Sequence, residues 1–356
     1  MRDALDRLFR EFAFQTSGRF DLLPVDHLPY AELGAPDVDG DLRRRIERGE
    51  GVISVIGRMG SGKSSLISAV AAGLDEGFVP LRVSVIGVEA GDPGAFARHA
   101  IAEIRDLPVT ELTRHEEKAL ERATAERRAT ASERELRAGF RIGTGSVLTA
   151  QVATDIKQAA HDELGGKVPA GEAIRGMQRL LDVFRKLKRC PVMIVEDTDH
   201  WGGSPGLVGA FFDQTIRAFS GLDSVMIVAA QRDYTVLEGY LRIRDKLAGE
   251  VALPLLPDAR RGISRILESR MRSVDVSVDI TDVVDGEGIE LLSRAYAESA
   301  ENGYAGDLRR TISAMRVALE VALSEPNAEY VSGGHVQEAL ARTPLAPTSG
   351  LVTAEP

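Results

Sequence analysis

The residue types and spacing that most directly indicate chemistry lie in one glycine-rich run, Gly57-Arg58-Met59-Gly60-Ser61-Gly62-Lys63-Ser64-Ser65. Its first eight residues fit the pattern G-x-x-x-x-G-K-S/T. The glycines let backbone N–H groups turn inward around phosphate oxygens, and the helix that follows points its positive dipole end at the same place. Lys63 adds a positive charge, and the Ser64 hydroxyl can bind Mg²⁺. The run predicts a site for a nucleoside triphosphate.

A second group of chemical residues follows the apolar run Val192–Val195. Glu196 and Asp197 come directly after it, and Asp199 lies two residues further on. Ligands of open α/β sheets bind at the carboxyl ends of the strands, where these acids are expected to lie. One acid would hold Mg²⁺ and the other would orient the attacking water. The pattern leaves open which of Glu196 and Asp197 does which.

Two further polar residues occupy positions from which a side chain can reach the same place. Gln231 follows another apolar run, 225–230, so its amide either lies beside the terminal phosphate or is hydrogen-bonded within the protein at the strand end. Arg309 lies in the run Gly306-Asp307-Leu308-Arg309-Arg310, which opens a predicted helix with Asp307 near its N-cap. From there an arginine can extend over a bound nucleotide.

Hydrophobic periodicity predicts the elements that must position these residues. Buried strands are expected at 51–56, 81–88, 191–195, 225–230 and 251–255. Helices are expected at 42–50, 63–74, 172–188, 207–219, 259–272, 287–302, 307–323 and 333–342. A β-hairpin is predicted over 139–156. Strands that alternate with helices, followed by helices alone, predict an α/β core with a parallel sheet and then a small all-helical domain.

The predicted organisation has four parts. Residues 1–50 form an N-terminal extension, and 51–256 form the core, which carries a mostly helical insertion at about 89–170. Residues 257–342 form the helical lid. The tail, 343–356, contains proline and serine and is predicted to be disordered.

Composition excludes several functional classes. The chain has 356 residues and a formal net charge of −10, so its overall charge does not attract nucleic acid. Its single cysteine, Cys190, rules out an intrachain disulfide. The apolar runs are far shorter than the roughly 20 residues that cross a bilayer, and the charged N-terminus lacks the apolar core of a signal peptide. We therefore expect a cytoplasmic protein without a membrane partner.

Taken together, these residues resemble the AAA+ ATPases, and most closely their origin-recognition and replication-initiator branch. The similarity rests on Gly57–Ser64 as Walker A, Val192–Asp199 as Walker B, Gln231 as sensor 1 and Arg309 as sensor 2. The Glu-Asp-x-Asp order of the acids also resembles KAP-type and STAND P-loop NTPases.

The resemblance implies ATP and Mg²⁺ as cofactors. It implies catalytic roles for Lys63, Glu196, Asp197 and Gln231, and a homo-oligomer in which an arginine finger, Arg242 or Arg244, reaches the site of a neighbouring subunit.

Two functions remain open on this basis. One is an oligomerising ATPase that remodels or regulates a partner protein or DNA, in replication, transposition or anti-phage defence. The insertion offers DNA a set of arginines, although acidic residues nearly balance them: Arg114, Arg122, Arg127, Arg128, Arg134, Arg137 and Arg141. The other is a STAND-like switch or scaffold subunit that holds ATP or ADP and hydrolyses little of it.

Overall fold

The structure is a computed structural model that describes residues 2–11, 13–14, 27–75, 77–105, 169–186, 189–274, 276–300 and 305–343. The predicted hairpin at 139–156, most of the insertion and all but the first residue of the predicted tail lie outside these ranges. None of the helices within them combines the length and apolar character required to span a bilayer.

Five parallel strands form one sheet in the order β2-β3-β4-β1-β5. Their bounds are β1 Val52–Ile56, β2 Phe78–Ser84, β3 Cys190–Glu196, β4 Val225–Ala230 and β5 Leu247–Ala252. All residues of β1 and β4 are buried, as expected for the central strands of a sheet covered on both faces. The predicted α/β class with a parallel sheet is confirmed.

Helices cover both faces of this sheet. The first part of the chain contributes α1 Arg2–Arg10, α2 Val38–Glu47, α3 Lys63–Ala72, α4 Pro93–Arg105 and α5 Ala170–Lys186. A continuous helix, α6, follows β3 and consists of α-helical Pro205–Ala210, π-helical Phe211–Ile216 and α-helical Arg217–Phe219. The short helix α7, Glu238–Leu241, packs against it.

The C-terminal part of the described chain is helical, as predicted. Its helices are α8 Ala259–Ser273, α9 Ile280–Val283, α10 Gly286–Ser299, α11 Leu308–Ser324 and α12 Gly333–Arg342. Side chains at their starts fix several of these helices, since Asp258, Asp285, Asp307 and Ser332 each accept a hydrogen bond from a backbone N–H one turn ahead.

Side chains that point alternately to the two faces of the sheet divide the core into two parts. In β3, Val192 and Ile194 face one cluster, whereas Met193 and Val195 face the other. The first cluster runs without interruption from the sheet and α3 into the C-terminal helices, where Leu267 is fully buried. The second lies under α4, α5 and α6. The C-terminal helices therefore share their core with one face of the sheet.

Two strand predictions were wrong in their bounds. β2 runs over 78–84 rather than 81–88, because an edge strand tolerates Pro80 and because the chain turns at 86–87. β5 runs over 247–252 rather than 251–255, and Pro254 lies beyond its end. As the other edge strand, β5 is only partly buried and carries Gly249 and Glu250, so its sequence lacks the apolar run of a central strand.

The contact between α6 and α7 depends on two glycines. A Cβ added to Gly239 would lie 2.1 Å from the carbonyl oxygen of Gly209, whereas one added to Gly206 meets nothing within 4 Å. We expect Gly239→Ala to lower the free energy of unfolding by about 1–3 kcal/mol, because the two backbones must separate. Gly206→Ala, as the matched control, should leave it unchanged or raise it. Urea unfolding of the three proteins measures this, and equal midpoints would contradict the contact.

Candidate functional site

The glycine-rich run forms the turn between β1 and α3. Gly60 and Gly62 have φ angles of 79° and 100°, in the left-handed region that side chains disfavour. A Cβ on Gly57 would lie 2.4 Å from the hydroxyl oxygen of Ser61, so a larger residue there would have to displace that hydroxyl. The helix begins at Lys63, and its first residues, Lys63 to Ser65, line the pocket beside the turn. The geometry is that of a backbone anion cradle.

Lys63 is held by the turn itself. Its Nζ donates hydrogen bonds to the carbonyl oxygens of Gly57 and Arg58, both at 2.8 Å. Burial lowers the pKa of Lys63 to about 8; the charge of Asp199 raises it, and that of Arg309 lowers it further. Gly57 and Arg58 thus act through their carbonyl groups and do not line the pocket, whereas the other predicted loop residues do: Met59, Gly60, Ser61, Gly62, Lys63, Ser64 and Ser65.

Glu196 ends β3 as a nearly buried carboxylate. Its Oε2 lies 2.7 Å from Nη1 of Arg82, a residue of β2, and Ser64 also bonds to it. Burial raises the pKa of Glu196, Arg82 and the Ser64 bond lower it, and Asp197 raises it. The contact with Ser64 puts Glu196 on the side of the pocket predicted for a metal.

Asp197 occupies a strained backbone position. With φ at 61° it is the one non-glycine residue with a positive φ within the described ranges. Its Oδ2 accepts a hydrogen bond of 2.6 Å from the Ser84 hydroxyl, at the end of β2. A strained backbone angle of this kind persists only when the surrounding structure holds the residue in place, and such residues cluster at functional sites. The two acids thus point to different partners on the same neighbouring strand.

Gln231 lies at the end of β4 and lines the same pocket. It is 6% exposed, and among the described residues its Nε2 has no hydrogen-bond partner. A buried amide donor without a partner costs free energy, and such groups are rare in folded proteins. The orphaned donor fits a ligand that accepts hydrogen bonds, such as a phosphate oxygen or a bound water.

The run that begins α11 packs directly on the glycine turn. The backbone N–H of Arg309 donates to the carbonyl oxygen of Gly60 at 3.1 Å, and the Arg309 side chain lines the pocket. A Cβ on Gly306 would lie 2.1 Å from the carbonyl oxygen of Tyr296, so only glycine lets α11 start here. Asp307 caps the helix by accepting from the backbone N–H of Arg310.

His27 and Tyr30 of the N-terminal extension, which the sequence motifs did not single out, complete the pocket wall. The Tyr30 hydroxyl donates to the carbonyl oxygen of Ser61 at 3.3 Å, and its burial raises the pKa of Tyr30. His27 also lines the pocket, with its Nε2 2.5 Å from Asp39. Apolar side chains from the extension and the C-terminal helices lie around them: Leu28, Leu33, Ile266, Leu308 and Ile312.

The two predicted finger arginines lie on the surface, away from the pocket of their own chain. Arg242 contacts Asp213 at 3.0 Å and also pairs with Glu238. Arg244 contacts Glu250 at 2.9 Å. Both side chains are more than half exposed, so neither contributes to the site of the chain that carries it.

The charges around the pocket fit a polyanion accompanied by a cation. Four basic residues line it, namely Lys63, Arg82, Arg270 and Arg309, against the three carboxylates of Glu196, Asp197 and Asp199. Within the described ranges, no group of three or more His, Cys, Asp or Glu residues is placed to hold a metal ion. Mg²⁺ at a nucleotide site needs only one or two carboxylates, because phosphate oxygens complete its ligands.

Strand, glycine turn, helix and acidic strand end together define an α/β fold of the P-loop kind, with a helical segment packed over the turn. No family model matches the chain, and no curated protein matches its sequence.

Similar solved structures include a chain of Drosophila ORC bound to DNA, at 16% identity and a TM-score of 0.49; the match covers 95% of this chain and 65% of that one. The Aeropyrum pernix ORC1 protein in complex with DNA matches at 20% identity and a TM-score of 0.49, and the match covers 90% of this chain and 68% of that one. Cdc6p from Pyrobaculum aerophilum matches at 10% identity and a TM-score of 0.49, and the match covers 97% of this chain and 74% of that one.

The unpartnered amide of Gln231 leads to a prediction about the stability of the nucleotide-free protein. We expect Gln231→Met to raise the free energy of unfolding of the nucleotide-free protein by about 1 kcal/mol, because it removes a buried donor that has no partner. Gln178→Met is the matched control: both ends of the Gln178 amide are bonded, to Asp182 and Asp223, so that change should not stabilise the protein. Thermal and urea unfolding measure both, and a destabilised Gln231→Met protein would contradict the orphaned donor.

Proposed function

We propose that this chain is an ATPase of the AAA+ class, related to replication initiators, which binds ATP with Mg²⁺ and hydrolyses it. The observation that carries the proposal is the convergence of three strand ends on one pocket. Lys63 follows β1 through the glycine turn, Glu196 and Asp197 end β3, and Gln231 ends β4. Arg309 closes the pocket from the C-terminal helices.

The binding roles follow from the side-chain positions. The N–H groups of the turn and of the start of α3 bind the phosphates, and Lys63 exchanges its carbonyl partners for the β- and γ-phosphate oxygens. Ser64 and Glu196, which contact each other, hold the Mg²⁺. When bound, Mg²⁺ neutralises charge on the transferring phosphoryl group. The apolar side chains between the N-terminal extension and the C-terminal helices receive the base.

The hydrolytic roles fall to the remaining polar groups. Asp197 orients the attacking water and accepts its proton, in a position fixed by its left-handed backbone and by Ser84. Gln231 donates its unpartnered N–H to the terminal phosphate or to that water. Arg309 adds positive charge on the lid side of the phosphates. We therefore propose this order for the two acids, with Glu196 at the metal and Asp197 at the water.

The proposal extends to assembly and partners. Arg242 and Arg244 are exposed and lie outside the pocket of their own chain, which supports a homo-oligomer in which one of them reaches a neighbouring site. The regulated partner is an effector protein or DNA, and arginines of the insertion are the candidates for DNA contact. We place this activity in the cytoplasm. Replication, transposition and anti-phage defence are the settings that suit such an ATPase.

One arrangement favours the second candidate function, a STAND-like switch that holds nucleotide with little turnover. Both acids already have protein partners, since Glu196 pairs with Arg82 and Asp197 accepts from Ser84. Acids held in this way must give up part of these contacts before they serve a metal or a water. The steady-state rate per subunit separates a switch from an ATPase.

Two substitutions test the site. Lys63→Ala should weaken ATP binding by roughly a hundredfold, because it removes charge-assisted hydrogen bonds to the phosphates. Asp197→Asn should keep ATP binding, since asparagine tolerates the left-handed backbone, and should lower turnover by at least about a hundredfold. Titration with a fluorescent ATP analogue and phosphate release measure the two effects.

Two surface substitutions serve as controls. Arg272→Ala removes a cation whose side chain is 65% exposed, and Asp223→Asn removes an exposed surface carboxylate, so neither should change binding or turnover. Unaltered turnover in Asp197→Asn would contradict the water-orienting role. Full ATP affinity in Lys63→Ala would contradict the nucleotide site itself.

The shared site makes a prediction about concentration. Turnover per subunit should rise with protein concentration, with and without duplex DNA, because the finger comes from a neighbour. Replacing the arginine that acts as the finger, Arg242 or Arg244, by alanine should lower turnover by about a thousandfold and leave ATP affinity unchanged. A rate per subunit that stays constant over the whole range, and that neither substitution alters, would rule out a composite site.

A further inference from the structure

A cation of the protein lies beside the proposed metal ligand. Arg82 projects from β2 into the pocket, where its Nη1 lies 2.7 Å from Oε2 of Glu196 and its Nη2 donates to the Ser68 hydroxyl at 2.8 Å. Ser68 is one turn along α3 from Ser64, on the same face of that helix. The guanidinium therefore lies alongside Ser64 and Glu196, the two side chains proposed to hold Mg²⁺.

The surroundings of Arg82 are those of a binding site and not only of a structural ion pair. Its side chain is 26% exposed and lines the pocket, whereas that of Glu196 is 9% exposed. A guanidinium is always charged, and its planar fork holds Glu196 and Ser68 at the same time. The charge of the Glu196 carboxylate is thus compensated before any ligand enters, by a cation whose side chain lines the pocket.

We propose that Arg82 makes nucleoside triphosphate binding at this site largely independent of magnesium. The inference rests on the proposed function, since it concerns the same pocket. Without Arg82, a triphosphate would bind beside a nearly buried carboxylate that lacks its adjacent cation, and a divalent cation would contribute more to offsetting the repulsion. With Arg82, the protein supplies part of that positive charge itself. The same guanidinium also competes with Mg²⁺ for Glu196, which reduces the benefit that the metal brings.

The test compares ATP affinity with and without Mg²⁺, so its readout is binding and not turnover. A fluorescent ATP analogue is titrated into the full-length protein in excess Mg²⁺ and again in EDTA, and the two dissociation constants are expressed as a ratio. For the unaltered protein we expect EDTA to weaken binding by less than about tenfold. For Arg82→Gln the ratio should rise by roughly tenfold or more, because the lost charge matters most when no metal is present.

Two further variants separate this role from simple support of the fold. Arg98→Gln is the matched control, since Arg98 lies on α4, is 28% exposed and is also paired with a carboxylate, that of Asp92. It should leave the ratio unchanged. Arg82→Lys keeps the positive charge without the fork and should give a ratio nearer to that of the unaltered protein than to that of Arg82→Gln. Circular dichroism confirms that each variant is folded.

The outcomes distinguish the two proposals. If the unaltered protein binds no nucleotide even in Mg²⁺, the proposed function fails and this inference fails with it. If the protein binds tightly in Mg²⁺ but more than about tenfold more weakly in EDTA, the site is nucleotide-binding and only the role of Arg82 is wrong. An Arg82→Gln ratio equal to that of the unaltered protein overturns the inference in the same way. The first of these measurements needs no variant, so it holds even if Arg82→Gln does not fold.

Discussion

The contact on which the site depends is the backbone hydrogen bond between the N–H of Arg309 and the carbonyl oxygen of Gly60. It joins the start of a C-terminal helix to the tightest point of the glycine turn. Two close approaches make it possible, because Gly60 has no Cβ to collide with Asp307 and Gly306 has none to collide with Tyr296. Arg58 reinforces the connection by donating to the carbonyl oxygen of Ser299. The turn thus has neighbours from both halves of the chain, and its shape is fixed before a ligand arrives.

A cost in stability accompanies this preorganisation. The Lys63 amine is buried beside the cation of Arg309, the Gln231 amide lacks a partner within the described residues, and Asp197 takes a left-handed backbone. Each of these features disfavours the folded protein by itself, and each would be relieved or used by the polyanion that we propose as ligand. The shared apolar core offsets the cost, because it packs the C-terminal helices and the sheet into one continuous cluster. The strained groups can therefore persist without loosening the pocket.

Local pattern was enough to predict the main elements and the glycine turn. The central strands and the amphipathic helices have strong periodicity, and the helix at 333–342 was predicted to the residue. The bounds of the edge strands were predicted wrongly, because these strands are partly exposed and lack the apolar run on which the prediction relies. The partners of the acids could not be predicted either. Arg82 and Ser84 are ordinary polar residues of a strand, and only the parallel pairing of β2 with β3 brings them to Glu196 and Asp197. Tyr30 reaches the pocket wall through its hydrogen bond to Ser61, 31 positions further along the chain, and no local sequence pattern predicts that contact.

The edge strand β2 therefore has a larger part in the chemistry than its position suggests. Arg82 and Ser84 are two residues apart, so both face the same side of the sheet, and they hold the two consecutive acids of β3. Helix α4, which follows β2 and lies in the predicted insertion, contacts this strand end: His99 bonds to the carbonyl oxygen of Ser84 at 2.7 Å. The central strands carry most of the residues proposed to bind nucleotide, whereas the edge strand supplies the partners of the two acids. A change of residue at 82 or 84 would therefore alter the surroundings of Glu196 and Asp197 without changing any residue of the glycine turn or of the acidic strand end.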